Sequence, residues 1–188
     1  MMRVISRSLL LLMIVVPLAS CKRPLKPEEL PVHIAIGDRY YTQFVIRYEK
    51  GTHLTTNFRR GASIPVNTPV KLLNMTTKTI EVEVDDSSQK LLVKNVKKHT
   101  GDDVYQAFDK LFGKRKVDLS KFNKLERQHI QSGTVAEGMR KDAVIVAIGY
   151  PPITETPSLD SNLWVYWSGR FNRFNVHFKN GKVNRIED

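Results

Sequence analysis

The side chains able to do chemistry are few and scattered. Five histidines stand at His33, His53, His99, His129 and His177, and none lies within metal-ligand spacing of another. Two carboxylate pairs, in "VDD" at Val84–Asp86 and "GDD" at Gly101–Asp103, have the composition of general acid–base sites. The first follows a strand at a turn and the second opens a helix, so each has a structural explanation. No H-E-x-x-H, G-x-S-x-G or P-loop pattern occurs. No catalytic residue, no metal-ligand set and no cofactor is therefore expected. What remains is one thiol, Cys21, at the seam between an apolar run and a charged, proline-containing segment.

The residues before that thiol explain it. Arg3 and Arg7 precede an apolar run from Leu9 to Leu18 and then small residues, which is the layout of a secretory signal over 1–20. The run is short for a membrane-spanning helix, which needs roughly 20 apolar residues. "LASC", Leu18 to Cys21, resembles the bacterial lipobox, in which the cysteine is acylated and becomes the first residue of the mature chain. That resemblance implies a lipid anchor on Cys21, a diacylglycerol and palmitate-type chains, each buried methylene contributing ~0.8 kcal/mol to membrane binding. Lys22 in the next position implies sorting to the outer membrane, with the protein lipid-anchored and facing the periplasm. With its only cysteine acylated, the chain has no disulfide, no thiolate metal site and no cysteine nucleophile.

Charge narrows the partners. Loss of Arg3 and Arg7 with the leader leaves 28 basic against 19 acidic residues, a net charge near +9. An exported, tethered protein does not meet nucleic acid, so the counterparts of this charge are anionic lipid headgroups, lipopolysaccharide phosphates or acidic cell-wall polymer. A solvated basic surface with no dedicated partner explains the same count. A hydrophobic content of 41% and dispersed aromatics indicate folded cores, enough for one ordinary domain or two small ones.

The elements that must position these residues follow from pattern. "KRPLKPEELP", with three prolines and five charges, reads as a stiff spacer, placing acylated Cys21 and a tether over 21–38. From 39 to 98 the pattern is β: "KTIEVEVD" alternates Ile80, Val82 and Val84 against acids, Pro65 and Pro69 suit strand starts or edges, and about five short antiparallel strands predict a small barrel. "GASIPVNTPVKLL" resembles bacterial SH3-like domains. Over 99–118 the period becomes helical, with Thr100 as the cap, Val104, Phe108, Leu111 and Phe112 on one stripe, and a connecting basic loop "GKRKVD". Helices are predicted from about Ser120 to Gln131 and within "GMRKDAVIVAIG", then three strands, the last two joined at Asn180–Gly181.

A resemblance arises in the last third. "GTVAEGMRKDAVIVAIGYPP", "LWVYW" and "FNVHFKNGKVNRI" are similar to the SmpA/OmlA family, which includes the small lipoprotein of the outer-membrane β-barrel assembly machinery. The matching positions are Gly138, Met139, Val144, Gly149, Pro151, Trp164, Tyr166, Phe178, Asn180, Gly181 and Val183. The resemblance covers about the last 60 residues and implies a β-lactamase-inhibitor-protein-like fold over 119–188: two helices on a three-stranded antiparallel sheet. The fold class expected for the whole chain is thus α+β, an N-terminal SH3-like barrel followed by that module.

Three functions fit. One is a noncatalytic envelope lipoprotein that docks another envelope protein in outer-membrane assembly or maintenance. The others are a cell-wall polymer-binding module resting on the SH3-like half, and an enzyme or enzyme inhibitor, the inhibitor by analogy of fold. The candidate docking surface is the long loop Pro151–Asn162 with Trp167, Arg170, Phe171 and Arg173, since Trp167 lies on the strand face opposite Trp164 and Tyr166. Coverage of that face by the N-terminal half is the competing reading.

Overall fold

The computed structural model describes residues 23–84 and 88–188. The leader and Cys21, like Asp85 and Asp86 of "VDD", lie outside the described residues. The protein is mixed α+β, with two hydrophobic cores.

The first core is built by strands β1 (Arg39–Thr42), β2 (Ile46–Tyr48), β3 (Thr52–Leu54), β4 (Ala62–Ile64), β5 (Pro69–Met75), β6 (Thr79–Val84) and β7 (Gln89–Lys94), a short helix α1 (Lys97–Thr100), helix α2 (Val104–Leu111) and a two-residue strand β8 (Phe112–Gly113). Six of the strands form one sheet in the order β3-β7-β6-β5-β1-β8, while β2 and β4 pair separately. All pairings are antiparallel except β3 with β7. Alternation does its work here: Val70, Leu72, Ile80, Val82, Leu91 and Val93 are all buried. Pro69 opens β5, where its missing N–H costs the ladder least.

The helix within 99–118 is part of this core and more than a connector, while Val117 beyond it packs against the second core. Val104, Ala107, Phe108 and Leu111 need a hydrophobic surface, and the sheet supplies it, with Phe108 edge-on to Tyr40 at 4.9 Å. The α2 cap is Asp103, not Thr100, because Gly101 in the left-handed region ends α1 first. Asp103 accepts from Tyr105 and Gln106 N–H, and Gln106 returns a bond to the Asp103 N–H at 2.9 Å.

The expected spacer is also folded. Leu25 and Ile34 are buried in the first core, Leu25 N–H donates to the Met75 carbonyl at 2.7 Å, and Tyr105 Oη donates to the Glu29 carbonyl. Prolines here set a 3-10 turn at Pro27–Glu29, and the apolar side chains around it find a surface, Leu25 and Ile34 buried and Leu30 half-buried. Chain stiffness and docking are compatible; composition alone did not distinguish them.

The second core lies between helices α3 (Lys124–Ser132) and α4 (Lys141–Ile148) and a meander of β9 (Leu163–Trp167), β10 (Arg173–Lys179) and β11 (Lys182–Glu187), in the order β11-β10-β9. Both helices begin later than predicted. Asn123 caps α3 in a capping box with Glu126, after a 3-10 turn at Leu119–Lys121. Arg140 occupies the α4 cap position, while Gly138 turns at φ +87° and donates its N–H to the Val183 carbonyl at 2.8 Å. Gly149 ends α4 at φ +76°, where a Cβ would stand 2.6 Å from the Phe44 ring.

The two cores are joined by direct bonds. Val45 N–H donates to the Val146 carbonyl (3.2 Å), Arg59 N–H to that of Trp167 (3.0 Å), and Asn57 Nδ2 to those of Ile148 and Tyr150 (2.7 and 3.0 Å). Among the described residues no helix is long and apolar enough to cross a membrane.

Candidate functional site

The four residues expected to dock a partner divide into a tip and a root. Ser168 and Gly169 N–H groups both donate to the Asn172 carbonyl, closing the β9–β10 turn. That turn holds Phe171 at 85% exposure, with the Arg170 guanidinium 5.5 Å from its ring centre. At the root, Arg173 pairs with Glu155 at 3.0 Å and covers the Trp167 ring at 5.1 Å. Trp167 itself is packed inside the chain, stacked on Phe58 at 5.7 Å and tilted against His99 at 5.1 Å. The N-terminal half therefore covers that face. The loop at 151–162 is fastened as well: Ile153 N–H donates to the His99 carbonyl, Thr156 Oγ1 accepts from Val165 N–H, and Lys141 Nζ donates to the carbonyls of Leu159, Asp160 and Ser161.

Between this loop, β3 and α2 lies a cleft of about 130 Å3 that pattern reading missed. Its walls include Phe44, Leu111, Tyr150, Ile153, Pro157 and Leu159. Asp102 and Lys110 line it as a closed pair, with Nζ donating to both carboxylate oxygens at 2.8 and 2.6 Å and resting 5.1 Å from the Tyr150 ring. His53, 2% exposed, lines it too. The "THL" run offers His53 or Leu54 as the inward residue; the strand buries His53 and leaves Leu54 half-buried. A histidine alternating into a sheet was the only signal available.

His53 Nδ1 lies 2.7 Å from the Arg47 carbonyl oxygen, which can only accept. Nδ1 therefore carries the proton and Nε2 keeps its lone pair, without a hydrogen-bond partner among the described residues. Burial pushes the imidazole pKa down to about 4, against the Arg47 carbonyl bond that favours the cation and with help from the Arg59 charge. Arg59 is itself pushed down to about 9 by burial and by neighbouring Arg47, and it bonds the carbonyls of Val45 and Gly133 and the Asn57 amide oxygen, with no carboxylate among the described residues.

No family profile matches the chain, nor does any curated protein or solved structure. Among the described residues no three His, Cys, Asp or Glu side chains gather where they could hold a metal ion. His33 pairs with Asp109 and His177 with Glu187, while His99 bonds Thr56 and His129 bonds Thr134. Asp103 is spent on its helix cap and Asp102 on Lys110.

The buried imidazole carries a pH dependence. A histidine that stays neutral when folded and takes a proton when unfolded stabilises the fold above its unfolded pKa near 6.5. That contribution is lost as pH falls toward the folded value of about 4. Over this window the loss amounts to about 3 kcal/mol. Urea midpoints at pH 7.0 and 5.0 are expected to differ more in the native chain than in His53→Gln; equal differences would show that His53 is charged in the fold.

Proposed function

We propose that the protein is a noncatalytic, lipid-anchored envelope lipoprotein of the outer membrane that docks an envelope protein through the β9–β10 tip. The observation that carries this reading is Phe171: a large aromatic at 85% exposure beside Arg170, on a turn closed by its own backbone bonds. Aromatic and arginine side chains are the enriched types at interfaces, and a rigid turn loses little entropy on docking. The SmpA/OmlA resemblance supports the same module and the same compartment. In this reading the C-terminal half is β-lactamase-inhibitor-protein-like and the N-terminal sheet is SH3-like. Because the fold already begins at Leu25, an acylated Cys21 would hold the body within about 14 Å of the lipid.

A second reading, binding to anionic lipid or cell-wall polymer, rests on Lys78, Lys94, Lys97 and Lys98. All four are exposed and form no ion pair among the described residues. The Asn95 N–H bond to the Lys78 carbonyl and the Leu25 bond to Met75 place them at the end of the sheet where the chain enters.

One experiment tests the assignment. Phe171→benzoylphenylalanine, photocrosslinked in intact cells, is expected to yield a discrete protein adduct that disappears when Arg170→Glu and Arg173→Glu are added. In Cys21→Ser the uncleaved precursor should accumulate and leave the membrane fraction. Adducts carrying only lipid or glycan would favour the lysine face, and unchanged processing and membrane retention of Cys21→Ser would sink the anchor.

A further inference from the structure

The cleft between the two cores is built unlike a packing defect. It is lined by a histidine 2% exposed, His53, whose Nε2 has no hydrogen-bond partner among the described residues, beside walls that are otherwise apolar or already paired. An acceptor on a cleft wall is open to a ligand's donor, where a fully enclosed one would have to be met from within the fold. The remaining polar neighbours are accounted for. Thr55 Oγ1 donates to Asn95 and accepts from Val96 N–H, Asn57 Nδ2 serves two carbonyls, and Asp102 is closed by Lys110.

We infer that this cleft is a binding site for a neutral planar ring carrying one hydrogen-bond donor, a phenol- or indole-like group that donates to His53 Nε2. Size sets the ring: about 130 Å3 is close to the roughly 150 Å3 of an apolar cavity that takes up benzene. Shape favours a flat occupant, since Phe44 and Tyr150 stand edge-to-face at 6.2 Å, and Pro151 and Pro157 add rigid walls. Charge favours a neutral one. Asp102 and Lys110 cancel across two short bonds, and the imidazole is uncharged at neutral pH because burial suppresses its cation. The donor follows from the tautomer, since the Arg47 carbonyl takes the Nδ1 proton and leaves Nε2 only able to accept.

The fastened loop forms one wall. Pro151 follows the end of α4, Ile153 is tied to His99, and the Leu159 carbonyl to Lys141, so the apolar side chains of this loop face a preformed site. The length of the loop marks it as a candidate docking element; here its role is to enclose. This site is independent of the lipid anchor and of the β9–β10 tip, and either can fail without it.

The ring could belong to a free small molecule or to a tyrosine or tryptophan side chain of a partner, and the two are separable by probe. Phenol, indole, benzene, N-acetyltyrosinamide and N-acetyltryptophanamide would each be titrated into the full chain while the His53 Cε1–H resonance is followed. That signal reports occupancy of the cleft and is insensitive to partition of the probe into lipid. Phenol and indole are expected to saturate with dissociation constants of about 1 mM, and benzene to bind about three- to ten-fold more weakly, the value of one net hydrogen bond. Ala107→Leu, which fills the cleft from α2, should abolish the shift. Leu159→Trp, which fills it from the partly exposed opposite rim, gives the same test should the first variant fold poorly. Comparable saturation by the two blocked amino-acid amides would assign the ring to a partner's side chain. Binding of phenol and indole alone would assign it to a small molecule. No movement of the His53 signal, equal affinity for benzene and phenol, or an undiminished shift in a folded cleft-filling variant would overturn the inference.

Discussion

Trp164→Ala is expected to destabilise the protein by about 3–5 kcal/mol, the range for removing a large aromatic from a packed core. The indole is 1% exposed and meets the Phe178 ring at 4.6 Å, with Met139, Ala143 and Val176 in the same core. Its Nε1–H donates to the Leu159 carbonyl at 3.3 Å, so the tryptophan also holds the loop that walls the cleft. The deletion leaves a cavity between α4 and the meander, and removes one of the ties on that loop. For a chain of this size the thermal midpoint should fall by roughly 6–20 °C. Trp164→Phe, which keeps a ring against Phe178 and loses the indole N–H, should cost clearly less. A midpoint within about 2 °C of the native value in the alanine variant would mean that the site collapses without loss, contrary to its packing.

The contrast between Trp164 and Trp167 shows how far pattern carries. Alternation along "LWVYW" correctly separates an inward pair, Trp164 and Tyr166, from Trp167 on the other face. It says nothing of what lies on that other face, because Phe58 and His99 reach it from more than 65 residues away in the chain. The same division runs through the fold. The alternating strand at Ile80–Val84, the apolar stripe of α2 and the hairpin at Asn180–Gly181, whose residues sit at φ +52° and +74°, are local signals and were readable. The parallel pairing of β3 with β7 and the antiparallel pairing of β8 with β1 bring together segments whose own residues carry no period long enough to detect. The cleft belongs to this second class. Its parts come from β3, α2 and the loop after α4, and only tertiary pairing brings His53 and Pro157 to one cleft. The docking of Leu25 and Ile34 was hidden for a different reason: the charges and prolines around them dominate the composition, while three apolar side chains are enough to seat the segment.

Arg140→Ala is expected to cost about 3 kcal/mol at neutral pH, the lower end of the range for breaking a buried ion pair. The partner, Glu126, is wholly buried, whereas the Arg140 side chain is 41% exposed and water can take part of its place. Glu126 joins two helix caps. One oxygen accepts the Arg140 N–H and Nε–H at 3.0 Å each, at the cap of α4, and the other accepts the Asn123 N–H at 3.0 Å, at the cap of α3. Arg140 continues the link to the Lys121 carbonyl and bridges to Lys182 on β11. Burial by itself would raise the Glu126 pKa, but the bonds from Arg140 and Asn123 outweigh it and hold the carboxyl below its usual range. A carboxylate with a depressed folded pKa stabilises the protein above the unfolded value near 4.3, and this stabilisation is lost as pH falls through the folded value. Removing the guanidinium leaves burial with less opposition, so the carboxyl of the variant should titrate higher and the penalty should shrink on acidification. Glu126→Gln in the same background removes the stranded charge and should recover at least 1 kcal/mol of the loss, a coupling that a double-mutant cycle measures directly. If the two substitutions instead add within about 0.5 kcal/mol, or if Arg140→Ala costs the same at pH 3.5 as at pH 7, the helices are held together by packing and the ion pair contributes little.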